Sequence, residues 1–158
     1  AALAAHGLVG LPELDAWLGA EGTGESLVRH ARAVACLPDA HHRARLWAQV
    51  LGGDFSNEMF SATLAGLNAS GEGIGPDLFF PVLLEQWQTH TIGMGRRFVR
   101  GGFPSRVDTE DTHAVDALVE GAMGWLEANP GAPAALRRLV VEELDDVERD
   151  LRNQRSQP

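Results

Sequence analysis

The sequence has no lysine and no tyrosine, and its single cysteine is Cys36. These absences exclude a Schiff-base lysine, a phosphate-loop lysine and a tyrosine general acid. One cysteine cannot form an internal disulfide bond or a cysteine zinc cluster. Purely apolar stretches are only a few residues long, whereas a membrane-spanning helix needs roughly 20 apolar residues. We therefore expect a cytoplasmic protein without a membrane partner.

Basic residues are also scarce. The chain carries 13 basic and 22 acidic residues, which gives a formal net charge of −9. A nucleic-acid-binding protein normally needs a basic surface that neutralises several phosphates, so we expect no nucleic-acid partner. The length of 158 residues and the 44% hydrophobic content are typical of one folded core, which predicts a single domain over residues 1–158.

Apolar residues recur at helical spacing nearly throughout, and no alternating run is followed by a hairpin turn. The pattern predicts an all-α protein of about seven helices, which start near residues 11, 25, 39, 56, 82, 110 and 133. These starts have no fixed period, which excludes a regular tetratricopeptide or ankyrin array. Short loops favour stacked antiparallel helix pairs, arranged either as a bundle or as an irregular solenoid.

Several residues mark the predicted helix ends. Asp39 is expected to cap a helix that stops at Gly52-Gly53, and Ser56 is expected to cap the next helix. Pro81 suits the first turn of a longer helix that runs to about Gly101.

Two glycines, Gly93 and Gly95, lie inside that longer helix and predict a bend or a close backbone approach. At the other end of the chain, residues 1–7 begin without Met and have the composition of a helix end. We therefore expect the chain to be part of a longer protein.

The best candidate metal site consists of Glu110, His113, Asp116 and Glu120, since a Glu-x-x-His step occurs in carboxylate-bridged di-metal sites. The apolar stripe of the same helix lies opposite, so a solvated outer face is the better interpretation. A stand-alone helical metalloenzyme is therefore only one of several functional hypotheses, and metal analysis would test it. No serine or cysteine has the sequence context of a nucleophile. We predict no catalytic residue and no metal ligand in this chain.

Three arginines near a helix C-terminus, Arg96, Arg97 and Arg100, are the remaining chemical candidates. One interpretation is structural: they interact with the helix dipole and pair with carboxylates. The functional interpretation is a fork that binds a peptide carboxylate on a concave helical surface.

Several segments resemble the C-terminal helical domain of zinc aminopeptidases of the aminopeptidase N type. The closest are Trp125-Leu126-Glu127-Ala128-Asn129-Pro130, Pro133-Ala134-Ala135-Leu136-Arg137-Arg138-Leu139-Val140-Val141-Glu142 and Arg149-Asp150-Leu151-Arg152. Supporting segments are residues 47–50, 56–57, 65–67, 78–84 with Trp87, and 103–104. One departure is Val82, which stands where the family commonly has an aromatic residue.

The resemblance implies an irregular α-superhelix of HEAT-like helix pairs that caps the catalytic domain and encloses a peptide chamber. It places zinc and the catalytic residues upstream of Ala1, so it implies no cofactor in this chain. The implied partners are the upstream catalytic domain and peptide substrates, and Arg96, Arg97 and Arg100 are the expected peptide contacts.

An independent helical-repeat interaction module is the alternative function. Such a module should carry polar outer faces on both terminal helices, whereas a domain of a larger protein should expose an apolar face at one end.

Overall fold

The computed structural model describes residues 1–53, 55–70, 73–105 and 112–155. Within these ranges it contains nine α-helices and no strand, which confirms the predicted all-α class and corrects the expected number of about seven helices. The helices are α1 (Ala2–Ala5), α2 (Leu11–Glu21), α3 (Gly24–Ala35), α4 (Ala40–Gly52), α5 (Asn57–Ala69), α6 (Pro76–Thr89), α7 (Ile92–Gly102), α8 (Thr112–Ala128) and α9 (Ala134–Arg155). None of these helices, as far as they are described, is long and apolar enough to cross a bilayer.

The chain divides into two compact units, Ala1–Gly73 and Ile74–Pro158, here called unit 1 and unit 2. Unit 1 contains α1 to α5 and unit 2 contains α6 to α9. The single domain over residues 1–158 stays a prediction.

The helix ends in unit 1 follow from local side-chain chemistry. Asp39 accepts a hydrogen bond from the His42 backbone N–H, and Ser56 accepts one from Met59 at 3.4 Å. Gly53 ends α4 with a φ of 77°, a left-handed conformation that favours glycine. The predicted caps at Asp39 and Ser56 and the predicted stop at Gly53 are therefore confirmed.

Helix α3 is the centre of unit 1, because it contacts every other helix of the unit and packs most extensively against α5. Gly66 of α5 makes this close packing possible: a Cβ there would lie 2.4 Å from the Arg32 carbonyl oxygen and 2.5 Å from the Ala35 Cβ. The core around this contact includes the fully buried Phe60 and Leu64.

Arg43 of α4 holds the C-terminal end of α5. Its guanidinium donates to the Ser70 hydroxyl, to the Leu67 carbonyl at 2.8 Å and to the Gly73 carbonyl at 2.9 Å. The last carbonyls of a helix have no partner within the helix, so the arginine fork satisfies groups that would otherwise be orphaned. Burial lowers the pKa of Arg43, and the nearby Cys36 opposes that shift.

One prediction for unit 2 is wrong. The expected continuous helix from Pro81 to Gly101 is two helices, α6 and α7. Pro76, rather than Pro81, occupies the first turn of α6. Helix α6 stops at Thr89, and α7 starts after Thr91, whose hydroxyl accepts a hydrogen bond from the Met94 N–H. The side-chain cap stabilises a new helix start, which replaces the expected bend.

The expected close approach at the glycines is confirmed at Gly95. A Cβ on that residue would lie 2.9 Å from the Trp87 ring, so α6 and α7 meet there. Gly93 faces open space in the second position of α7.

An aromatic cluster forms the centre of the unit 2 core. The Phe79 ring stacks on Phe98 with centroids 5.4 Å apart and meets the edges of Phe80 and Phe103. Phe79, Phe98 and Phe103 are fully buried. Such aromatic pairs add about 0.5–1.5 kcal/mol each beyond their area burial.

Helices α8 and α9 complete unit 2. The predicted apolar stripe of the last helix is buried over its whole length, from Leu136 to Leu151. Arg137 donates to the Leu126 and Asn129 carbonyls at 2.6 and 2.7 Å, so it holds the end of α8. Arg138 pairs with Glu142 at 2.8 Å on the exposed side.

Candidate functional site

Arg96, Arg97 and Arg100 lie together on the exposed face of α7. The opposite face of the helix packs into unit 2 through Gly95, Phe98, Val99 and Gly102. The helical spacing therefore places the three guanidinium groups on one side, as the sequence predicted for residues at steps of three and four. Their role in peptide binding stays a prediction.

Arg100 also faces a carboxylate of the last helix. Its Nε lies 4.0 Å from the Glu143 Oε1, and the side chains are 66% and 20% exposed, respectively. Partial burial raises the pKa of Glu143; Arg100 lowers it, while Asp146 and Glu142 raise it further. A loose ion pair whose arginine is largely solvated contributes at most about 1 kcal/mol, so Arg100 remains available to another anion.

A second surface feature of unit 2 is a solvent-open groove of about 950 Å³ between α6 and α8. We call it the α6–α8 groove. Its floor includes Phe80 and Trp125, which belong to the core of the unit. The α8 wall presents the small residues Ala117, Gly121, Gly124 and Ala128. Because these residues recur at steps of four, three and four, they form one helix face that leaves room for a ligand.

The two glycines of this face have different surroundings. A Cβ at Gly121 would lie 3.0 Å from the Phe80 ring and 3.2 Å from the Pro76 Cβ, so α6 and α8 touch at that point. A Cβ at Gly124 would have no atom within 4 Å. The helices therefore separate within one turn, and the groove opens at Gly124.

Sequence reasoning did not identify the α6–α8 groove, and none of the three predicted arginines lines it. A signal was available in the four small residues on one face of α8. A single sequence does not show which helix such a face opposes, since residues 76–88 and 117–129 are far apart along the chain.

The metal candidate of the sequence is only partly within the described residues, because Glu110 lies outside them. His113, Asp116 and Glu120 are exposed on α8. Across the described ranges, no three His, Cys, Asp or Glu side chains come together as a possible metal site. The structure therefore offers no fitting ligand set for a zinc ion in the part of the chain that it describes.

Comparisons with known proteins support one coarse relationship. No protein-family model matches the sequence. Among curated proteins, the chain is similar to a protein named Aminopeptidase N from Streptomyces lividans, with 28% identity over 157 residues. The alignment covers 96% of this chain and 18% of that protein. The chain is thus similar to a part of an aminopeptidase N.

Proposed function

We propose that this chain is a non-catalytic helical domain of a zinc aminopeptidase, where it encloses the peptide chamber and positions peptides for removal of their N-terminal residues. The observation that carries this proposal is the similarity to Aminopeptidase N along 96% of the chain. The helical structure is compatible with the superhelical capping domain implied by the sequence resemblance. The proposal includes a cytoplasmic location.

In this proposal the catalytic zinc belongs to a neighbouring catalytic domain. The sequence resemblance assigns the zinc ligands and the general base to that domain, and this chain supplies walls and peptide contacts. A bound zinc would polarise the scissile carbonyl and activate the attacking water. The residues of this chain would hold the peptide and limit access of bulk water to the chamber.

Exposed apolar residues in unit 1 support a packed neighbour. Five of the nine exposed large hydrophobic side chains among the described residues lie within the first 27 positions. They are Leu3, Leu8, Leu11, Trp17 and Leu27, and Leu8 is 70% exposed. A freestanding interaction module should have polar terminal faces, so this apolar surface favours a domain that a larger protein covers.

The direct test is aminopeptidase activity on a chromogenic amino-acid amide with added zinc. We expect no activity from the 158-residue chain alone, and zinc-dependent activity from the longer aminopeptidase that the proposal places around it. Zinc-dependent turnover by the chain alone would contradict the proposal and return attention to His113. An inactive longer protein, shown to be folded and loaded with zinc, would also contradict it.

The proposed peptide contacts have their own test in the longer enzyme. Replacing Arg96, Arg97 and Arg100 with glutamine should raise KM for long peptides several-fold and leave KM for a single-residue amide unchanged. The reason is that only a long peptide reaches a guanidinium fork away from the reacting bond.

A control for these substitutions, which also removes positive charge from an exposed helix face, is the pair Arg138→Gln and Arg149→Gln. Both arginines are exposed on α9, where they pair with neighbouring carboxylates. These variants should change neither KM. Equal KM increases for long peptides and amides in the α7 variant would reject the arginine contacts.

A further inference from the structure

We infer that the α6–α8 groove is a docking site for an arginine- or lysine-rich peptide segment of a protein partner. This inference goes beyond the proposed function, because it concerns a surface that the three α7 arginines do not line and it needs no catalytic domain. It rests on the volume of the groove, its apolar floor and the charge of its walls.

The size and shape of the groove suit a peptide chain. Its volume of about 950 Å³ is near the upper end of the roughly 300–1,000 Å³ typical of ligand sites. It is open to solvent and lined by two helices, so an extended segment can enter along it. The opening at Gly124 lets a backbone or a long side chain approach α8 closely.

The charge of the walls selects the occupant. Asp77 and Glu85 lie on the α6 wall and Glu120 lies on the α8 wall, and all three are exposed. None of the groove's lining residues, all within the described ranges, is basic. Within the described ranges, no ion pair includes any of these three carboxylates. Acidic walls attract a basic segment and repel an acidic one or a nucleic acid.

The floor adds contacts that distinguish a basic side chain from a simple cation. Pro81 and Leu84, next to the largely buried Phe80 and Trp125, offer apolar surface that can cover the aliphatic stems of arginine or lysine. A peptide with spaced basic residues therefore uses both the walls and the floor.

Binding can be measured by fluorescence anisotropy on the 158-residue chain with labelled peptides of alternating arginine and serine. Matched peptides carry glutamine or glutamate at the arginine positions. We expect the arginine peptide to bind at least about tenfold more tightly than the glutamine peptide, and the glutamate peptide not to bind. The affinity should fall as the salt concentration rises, because salt screens exposed charges.

Because the whole chain is acidic, variants must separate the groove from a general charge effect. The double variant Glu85→Gln/Glu120→Gln should weaken arginine-peptide binding about tenfold. Its control, Asp145→Asn/Asp150→Asn, removes the same charge from exposed positions of α9 and should change binding by less than about twofold. Equal losses in the two double variants would overturn the inference.

A steric variant tests the same groove without changing charge. Gly124→Leu places a side chain into the open space of the groove, whereas Gly93→Leu places one into open space on α7. Both substitutions replace a helical glycine with leucine, and the higher helix propensity of leucine favours folding. We expect an affinity loss of about tenfold or more for Gly124→Leu and none for Gly93→Leu. Unchanged binding by a folded Gly124→Leu variant would overturn the inference. If that variant fails to fold, the charge variants decide.

These outcomes are independent of the proposed function, since no step measures peptidase activity. Loss of the aminopeptidase proposal would leave a groove that binds basic peptides. Loss of peptide binding would leave the capping role intact.

Discussion

Replacing Gly66 with alanine should lower the free energy of unfolding of unit 1 by about 3 kcal/mol. The new Cβ would lie 2.4 Å from the Arg32 carbonyl oxygen and 2.5 Å from the Ala35 Cβ. The first is a backbone atom of α3 and the second is the only side-chain carbon of an alanine, so no flexible side chain can move aside. The helices α3 and α5 would have to separate.

Urea unfolding followed by circular dichroism measures this effect, and Gly19→Ala is the matched control. Gly19 lies in α2 of the same unit, and a Cβ there meets no atom within 4 Å. The control should gain up to about 1 kcal/mol from the better helix propensity of alanine. A similar gain for Gly66→Ala would show that α3 and α5 are not packed as described.

Replacing Phe79 with alanine should cost unit 2 about 3–5 kcal/mol. Phe79 is fully buried and contacts the rings of Phe80, Phe98 and Phe103 at centroid distances of 5.3, 5.4 and 5.7 Å. Its removal leaves a cavity at the centre of the aromatic cluster and ends three ring contacts at once.

Thermal unfolding monitored by near-ultraviolet circular dichroism should show the Phe79→Ala loss as a lower midpoint. The neighbouring Leu78 is 49% exposed, so Leu78→Ala should cost less than about 1.5 kcal/mol. Equal losses at positions 78 and 79 would contradict the aromatic cluster as the centre of the core.

Helical periodicity and capping residues predicted most of the fold. The spacing of apolar residues identified the all-α class, and polar side chains at Asp39 and Ser56 marked helix starts that the structure confirms. Both signals are local, because a cap acts on the next three residues and a stripe repeats within one helix.

The sequence analysis missed the helix break after Thr89 and placed the start of that helix at Pro81. Pro76 and Pro81 both suit a first helical turn, but Pro81 lies inside α6. A proline at this position leaves the Asp77 carbonyl without its helical donor. Pro81 and Asp77 are exposed and line the groove, where water can satisfy that carbonyl. Thr91 supplied the actual start of the next helix.

The candidate site was harder to predict than the fold. The sequence identified Arg96, Arg97 and Arg100 as a cluster, since the spacing of residues along one helix determines which of them share a face. It did not identify the α6–α8 groove, because the groove depends on which faces of two distant segments meet. The contact at Gly121 and the opening at Gly124 are products of that tertiary pairing.

Arg43 and Arg137, which bind carbonyl groups at the ends of α5 and α8, have a consequence for local motion. Arg43 holds the end of α5 from a position 24 residues before Leu67, and Arg137 holds the end of α8 from the following helix. A helix end normally frays as its last turn unwinds one residue at a time. Here unwinding also breaks a hydrogen bond to an arginine of another helix, so the last turns of α5 and α8 open together with their neighbours instead of alone.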